Sequence, residues 1–451
     1  MDSTRFLLVV VVATLVGCGG GGGSTPSSGG GGITPPTVSP VATATPSAAP
    51  APPAAFAAQY ALESADISAF ASGIAAQCPA NPTASTRFDL ELLPANANAL
   101  YSALQGKTVA QAQAAAGNAL AYAVAARRLL PGIGFMINPN YPVLVQNQAN
   151  APTWWNTAAN YPVFSAYYAR LAAGLTQNGI PYDIETNLIF PAYSGQSYSG
   201  LSIAQLEAGV AEDSSNALTV MPAIQYLNFA SEPLTLSQNT GQPTLDTVAG
   251  YAGYVSGIRA GMVIPGGSQT KVGAGSADWS SISFLTALEG MSNLGFNNMH
   301  LYPPDLLATA NGGIAQVDAI NPALTGKPGI IAENWDEKDA GNAGAFGAAN
   351  AQSLEQQNMY SFWAPLDARY ITAMMQLARC QNISVASFWY QNELFAYLDY
   401  ASASMLTPQA AQGAIAQAGA RAALAGTLSP SGQAMYAGLT GHAPMSVMRR
   451  R

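Results

Sequence analysis

The sequence predicts an α/β fold, a (β/α)8 TIM barrel, over residues 131–451. Beyond residue 130, short apolar runs bounded by turn residues alternate with longer stretches of helical periodicity. The runs are almost continuously apolar, the signature of parallel strands covered by helices on their outer face. Seven such units follow Gly132, and an earlier strand is offered by Arg87 to Leu93 (RFDLELL). Seven or eight βα units in one stretch fit a closed barrel better than an open sheet. A doubly wound sheet usually carries GxGxxG after a strand, and none occurs here.

Taken in order, Gly132 to Asn138 (GIGFMIN) reads as a buried strand and Phe164 to Leu175 as a helix stopped by Asn178-Gly179. Pro181 to Asn187 is the next strand, and Ile203 to Leu218 the next helix. Ala223 to Glu232 (AIQYLNFASE) and Leu245 to Met262 form the following strand and helix. Lys271 to Ser276 is a strand, after which Ile282, Leu285, Leu288 and Met291 recur at helical spacing up to Gly295. Asn297 to Tyr302, Gly329 to Glu333 and Ile383 to Tyr390 complete the strands. Ala308 to Ile320, Met359 to Arg379 and Gln409 to Leu424 are their helices. Residues 56–130 are Ala-rich and helical, and are expected to be the N-terminal part of the same domain.

The beginning of the chain is of a different kind. Phe6 to Val16 is an apolar run interrupted only by Thr14, too short for a permanent span but of signal-peptide length. It leads into Leu15-Val16-Gly17-Cys18, which resembles the bacterial lipobox. That resemblance implies a lipoprotein signal peptide over residues 1–17 and acylation of Cys18. Acyl chains supply ~0.8 kcal/mol per buried CH₂, so a lipidated Cys18 would hold the protein on a membrane without a spanning helix. Gly19 after the Cys favours the outer membrane by the same resemblance; an ordinary secretory signal is the alternative. Residues 18–55 are a Gly/Pro/Ser-rich linker with too little apolar surface to offset ordering entropy, and are expected to be a disordered tether. An exported chain permits a disulfide between Cys78 and Cys380, but nothing in the sequence shows that they lie close.

Composition narrows the partners. Only 9 % of the 451 residues are charged, with 16 basic against 24 acidic. Sixteen scattered Lys and Arg do not build the basic stripe that nucleic acid requires. With two His and no CxxC, neither a zinc site nor any other metal or cofactor is expected. A surface rich in Asn, Gln, Ser and Tyr suits neutral polar partners, sugars first among them.

In a barrel, functional side chains project from the carboxyl ends of the strands. Glu232 and Glu333 each terminate an apolar run, where a carboxylate costs free energy unless paired or functional. Pro233 is expected to hold Glu232 extended and end its strand. Ser231-Glu232-Pro233, then His300-Leu301-Tyr302 two strands later, then Gly326-Lys327-Pro328 leading into Glu333, together resemble the clan A glycoside hydrolases. The likeness covers roughly residues 130 to 400.

That resemblance implies a retaining β-glycosidase with Glu232 as acid/base on strand four and Glu333 as nucleophile on strand seven. It implies that the two carboxyls stand ~5–5.5 Å apart, with a single proton residing on Glu232. Tyr302 would hydrogen-bond Glu333 and His300 would hold the rim. Trp335, Trp389 and Asn392 would join them in binding substrate, with Trp154, Trp155 and Trp279 as further stacking faces. Ser231 stands where the clan has an Asn that contacts the sugar 2-hydroxyl, so Asn187 or Asn228 takes that part or the substrate differs at C2. Glu185 is expected to be structural or at the rim. The competing reading is a non-catalytic envelope lipoprotein whose barrel binds glycan. Both readings give a carbohydrate partner, membrane attachment through Cys18, and no nucleic acid.

Overall fold

The computed structural model describes residues 50–79, 82, 84–92, 104, 106–138, 161–186, 198, 200–277, 280–302, 313–336, 338 and 358–442. Residues 1–49, which include Cys18 and the expected signal peptide, lie outside the described residues. Eight parallel strands close a barrel in sequence order. They are β1 (Arg87–Glu91), β2 (Gly134–Ile137), β3 (Tyr182–Glu185), β4 (Tyr226–Asn228), β5 (Lys271–Ala277), β6 (Phe296–Leu301), β7 (Gly329–Asn334) and β8 (Val385–Phe388). Every strand expected from the sequence is present; β1 to β4 and β8 are shorter than expected, β6 is displaced by one residue, and β5 and β7 run one residue further.

The helices between them include α1 (Ala57–Gln77), α2 (Val109–Leu129), α3 (Tyr161–Gln177), α4 (Ile203–Val220), α5 (Pro233–Thr240), α6 (Val248–Gly261), α7 (Ser283–Glu289), α8 (Gly313–Ala319), α9 (Ala364–Cys380), α10 (Pro408–Ala425) and α11 (Pro430–Thr440). Reciprocal capping boxes start α2 at Thr108/Gln111 and α4 at Ser202/Gln205, satisfying amide groups that the first helical turn leaves open. Residues 56–130 therefore contain the first βα unit, β1 and α2, preceded by α1. Among the described residues, no helix is long and apolar enough to cross a membrane.

α1 packs on α9, the helix before β8. Ile67, Phe70 and Ile74 are fully buried on its inner face, each burial supplying about 1.5–3 kcal/mol, and Phe70 stacks on Tyr370 at 6.0 Å. A Cys78–Cys380 disulfide joins the ends of these helices across 302 positions, with Cα atoms 5.6 Å apart. The pairing that the sequence left open is thus formed.

Alternation along the strands decides what faces the barrel axis. Phe88, Leu90, Phe135, Ile184, Leu227, Met299 and Ile331 join the large core beneath the helices. Met136, Tyr226, Phe296, Ile330, Ala332 and Val385 form a separate apolar layer inside the barrel. Below this layer, Arg87 makes a two-pronged contact with Asp89, at 2.7 Å for each prong, and reaches Asp183. Asp183 in turn accepts from the Gln225 and Tyr226 amides. A cavity of about 450 Å³ opens at this amino-terminal end beside Arg87, Gln225 and Ser384. The Arg87 contacts tie β1 to β3 at the end of the barrel opposite its carboxyl mouth.

On β7 the alternation is interrupted once. Met299 pairs with Ile331 and His300 with Glu333, so Ala332 is skipped; the pairing with β8 shifts over the same residues. The skipped amide of Ala332 donates to Asn298 Oδ1 at 3.1 Å. This bulge keeps Ala332 and Glu333 both turned inward, where strict alternation would send Glu333 out among the helices.

Candidate active site

At the carboxyl mouth, Glu185 from β3, Glu232 from the turn between β4 and α5, and Glu333 from β7 meet around the imidazole of His300 from β6. His300 is fully buried. Its Nε2 donates to Glu185 Oε1 at 2.7 Å, and its Nδ1 to Glu232 Oε1 at 2.7 Å, with Glu333 Oε2 3.1 Å from the same nitrogen. Tyr302 donates its hydroxyl to Glu333 Oε2 at 3.0 Å. Glu185 Oε1 also accepts from Asn228 Nδ2 at 2.7 Å and Ser231 Oγ at 3.1 Å. Space for the cluster comes partly from β5, where a Cβ on Gly275 would fall 2.0 Å from the Asn298 carbonyl oxygen.

The charges are strongly coupled in this water-poor setting. Burial alone would lower the His300 pKa, but Glu185 and Glu333, with hydrogen bonds to Glu185 and Glu232, hold it well above 6.5. The ring is an imidazolium with both nitrogens donating. Burial pushes Glu333 up to about 7; His300 pulls it down while Glu185 and Glu232 push it further up.

Glu91 at the end of β1 is a fourth carboxyl. Burial, then Glu333 and Glu185, raise its pKa well above 4.5, and neither of its oxygens has a hydrogen-bond partner among the described residues. Asn138, directly after β2, is likewise buried, with neither side-chain atom partnered among the described residues.

Glu232 is not extended as the sequence suggested. It lies in the left-handed region at φ 50° and ψ 65°, directly before Pro233, the first residue of α5. The proline disfavours the right-handed helical region, and the chain must turn from strand to helix within one residue. A non-glycine residue held there costs of order 1–3 kcal/mol, and such strain clusters at functional sites. Glu232→Gly is accordingly expected to be more stable than Glu232→Ala by ~1–2 kcal/mol, the reverse of their order in a helix. Urea unfolding of the two variants measures this; an Ala variant equal to or more stable than Gly would remove the strain argument.

Glu185, His300 and Glu333 offer ligand atoms within 4.8 Å of one another. Both imidazole nitrogens already point protons at carboxylates, so a cation would have to displace those protons, and the group reads as a proton-sharing network.

With this geometry in view, known proteins add the following. No family model matches the chain, and no curated protein matches it. Solved structures do align. A glucosidase from Croceicoccus marinus aligns at 13 % identity and TM-score 0.41 over 69 % of this chain, which spans 62 % of that protein. A glycoside hydrolase family 5 mannosidase from Rhizomucor miehei aligns at 10 % identity and TM-score 0.41, over 68 % of this chain and 81 % of that one. A GH113 β-1,4-mannanase aligns at 8 % identity and TM-score 0.38, over 74 % and 98 %. Scores this low carry no functional argument, which rests on the side chains.

The remaining expected site residues divide. Trp335 is fully buried, packed on Tyr370, Phe388 and Tyr390, so it is a packing residue and offers no stacking face. Asn392 packs against Gly419 of α10. Trp389, half-buried after β8, is the one tryptophan among the described residues that is not fully buried. Asn187, Trp154, Trp155 and Trp279 lie outside the described residues. Glu185 is at the centre of the cluster, not at its rim. Glu91 and the central place of Glu185 were missed, although their signal is present. RFDLE and YDIE alternate charged with apolar residues, and only the axis or the mouth of a barrel can accept the charged face.

Proposed function

We propose that the chain is a retaining β-glycosidase acting on a poly- or oligosaccharide, exported and held to the cell envelope through a lipidated Cys18. The observation that carries the catalytic part is the shared imidazole nitrogen. Glu232 Oε1 and Glu333 Oε2 lie 2.7 and 3.1 Å from Nδ1, so they are no farther apart than those lengths end to end. That falls short of the ~6.5–9.5 Å at which inverting enzymes admit a water between their carboxyls. In this reading Glu333 attacks the anomeric carbon as Glu232 protonates the departing oxygen, and Glu232 then takes a proton from the water that releases the sugar. The Ser231 hydroxyl donates to Glu185, and Asn228 Oδ1, buried with no partner among the described residues, is an acceptor available to a sugar 2-hydroxyl. The lipid anchor rests on the sequence around Cys18.

A panel of aryl β-glycosides and purified plant, fungal and bacterial glycans tests the reading, with the first-formed anomer followed by proton NMR. β-Product supports it; α-product, or no cleavage across the panel, overturns it. Glu333 must be ionised to attack. Because its pKa is raised to about 7, kcat/KM is expected to rise with pH through that value. A pH profile already flat from 5 upward would contradict this.

A further inference from the structure

We propose that Glu185 is a positioning residue that orients and charges His300, and through it sets the acidity of Glu232; this deepens the glycosidase reading and rests on it. Three donors converge on one oxygen of Glu185, from His300 Nε2, Asn228 Nδ2 and Ser231 Oγ. An oxygen accepting three hydrogen bonds belongs to an ionised carboxylate. Its hold on Nε2 fixes the imidazole plane and aims the Nδ1 proton at Glu232 Oε1, close to Glu333 Oε2. Two of the three donors come from β4 or the residues just after it, so one oxygen also ties the segment carrying Glu232 to β3.

The consequence is chemical. When the bond from C1 to the leaving oxygen breaks and C1 joins Glu333, the proton of Glu232 passes to that oxygen. A carboxylate is left facing a hydrogen bond already in place. His300 keeps both its protons throughout. The ionised Glu185 and the imidazolium cancel, so the pocket gains a donor at Glu232 without a change in net charge. The groups facing this imidazole are Glu91 of β1, Glu185, Glu232, Glu333 and Tyr302, with Tyr251 of α6 close to Glu185 and Glu232.

Glu185→Gln in the full chain provides the test. Hydrolysis of β-glycosides with poor leaving groups should fall ~10²-fold or more in kcat/KM, and that of 2,4-dinitrophenyl glycosides about tenfold less, because a good leaving group needs little acid help. Removal of a negative charge should move both limbs of the pH profile to lower pH. Equal losses on both substrate types with the limbs unmoved would overturn the role while leaving the glycosidase reading intact. A wild type that cleaves no glycoside would remove that reading instead. One further measurement needs no variant and no substrate: the chain has only two histidines, so ¹⁵N-histidine labelling reports His300 beside the exposed His442. His300 protonated on both nitrogens at pH 8 supports the arrangement; a neutral His300 at pH 7 overturns it.

Discussion

Glu333→Gly is expected to reduce kcat/KM on an aryl β-glycoside by roughly 10⁴–10⁶-fold, the scale on which removal of a nucleophile is felt. The variant leaves a space where the carboxylate met Tyr302 and His300, and Glu232 keeps its contact with the imidazole. Azide is small enough to enter that space. It should restore turnover on an activated substrate and yield an α-glycosyl azide, opposite in configuration to the starting glycoside. Glu232→Ala with azide should give the β-azide, because there the covalent intermediate still forms and azide attacks it from the other side. Opposite anomers from the two variants would assign the two carboxyls independently of any likeness to other proteins. The same anomer from both, or rescue of neither, would show that the roles are misassigned.

Lys338→Met is expected to destabilise the fold by ~3–5 kcal/mol at neutral pH, the usual cost of removing one partner from a buried ion pair. Lys338 is fully buried, with Asp367 at 2.5 Å and Asp336 at 3.0 Å, and its ammonium lies about 6 Å from the rings of Trp335 and Trp363. The cation thus anchors the segment leaving β7 to α9. Without it, two buried carboxylates face each other uncompensated. Burial pushes Asp367 up to about 6 even with Lys338 pulling it down, and the lysine's loss removes that pull. The folded form then holds protons that the unfolded chain releases, so its deficit should shrink as pH falls from 8 toward 5. Urea unfolding at the two pH values measures this. A deficit equal at both would argue that the loss is one of packing around the tryptophans.

Much of the fold was legible because its strands are apolar and turn-bounded, and parallel sheets advertise themselves in that way. The paired glutamates were legible for the same reason: a carboxylate at the end of GIIA has no cheap structural explanation. What stayed hidden depends on facing and height. Trp335 sits two residues beyond a predicted nucleophile, yet the chain there has turned outward into the α9 packing. The αL turn at Glu232 is invisible beside a proline that ordinarily signals extension. Cys78 and Cys380 meet because α1 lies against α9, a docking that no local pattern in an Ala-rich helix encodes.

The skipped residue on β7 acts as a vernier. In a regular strand a side chain offered to the axis moves only in steps of two residues, ~7 Å of travel along the barrel. Slipping one amide out of the ladder at Ala332, with Asn298 taking it up, allows a move of one residue, ~3.3 Å, without changing sides. Skipping Ala332 sets Glu333 opposite His300, so the acid meets the imidazole from a position that an unbroken ladder would have turned toward the helices.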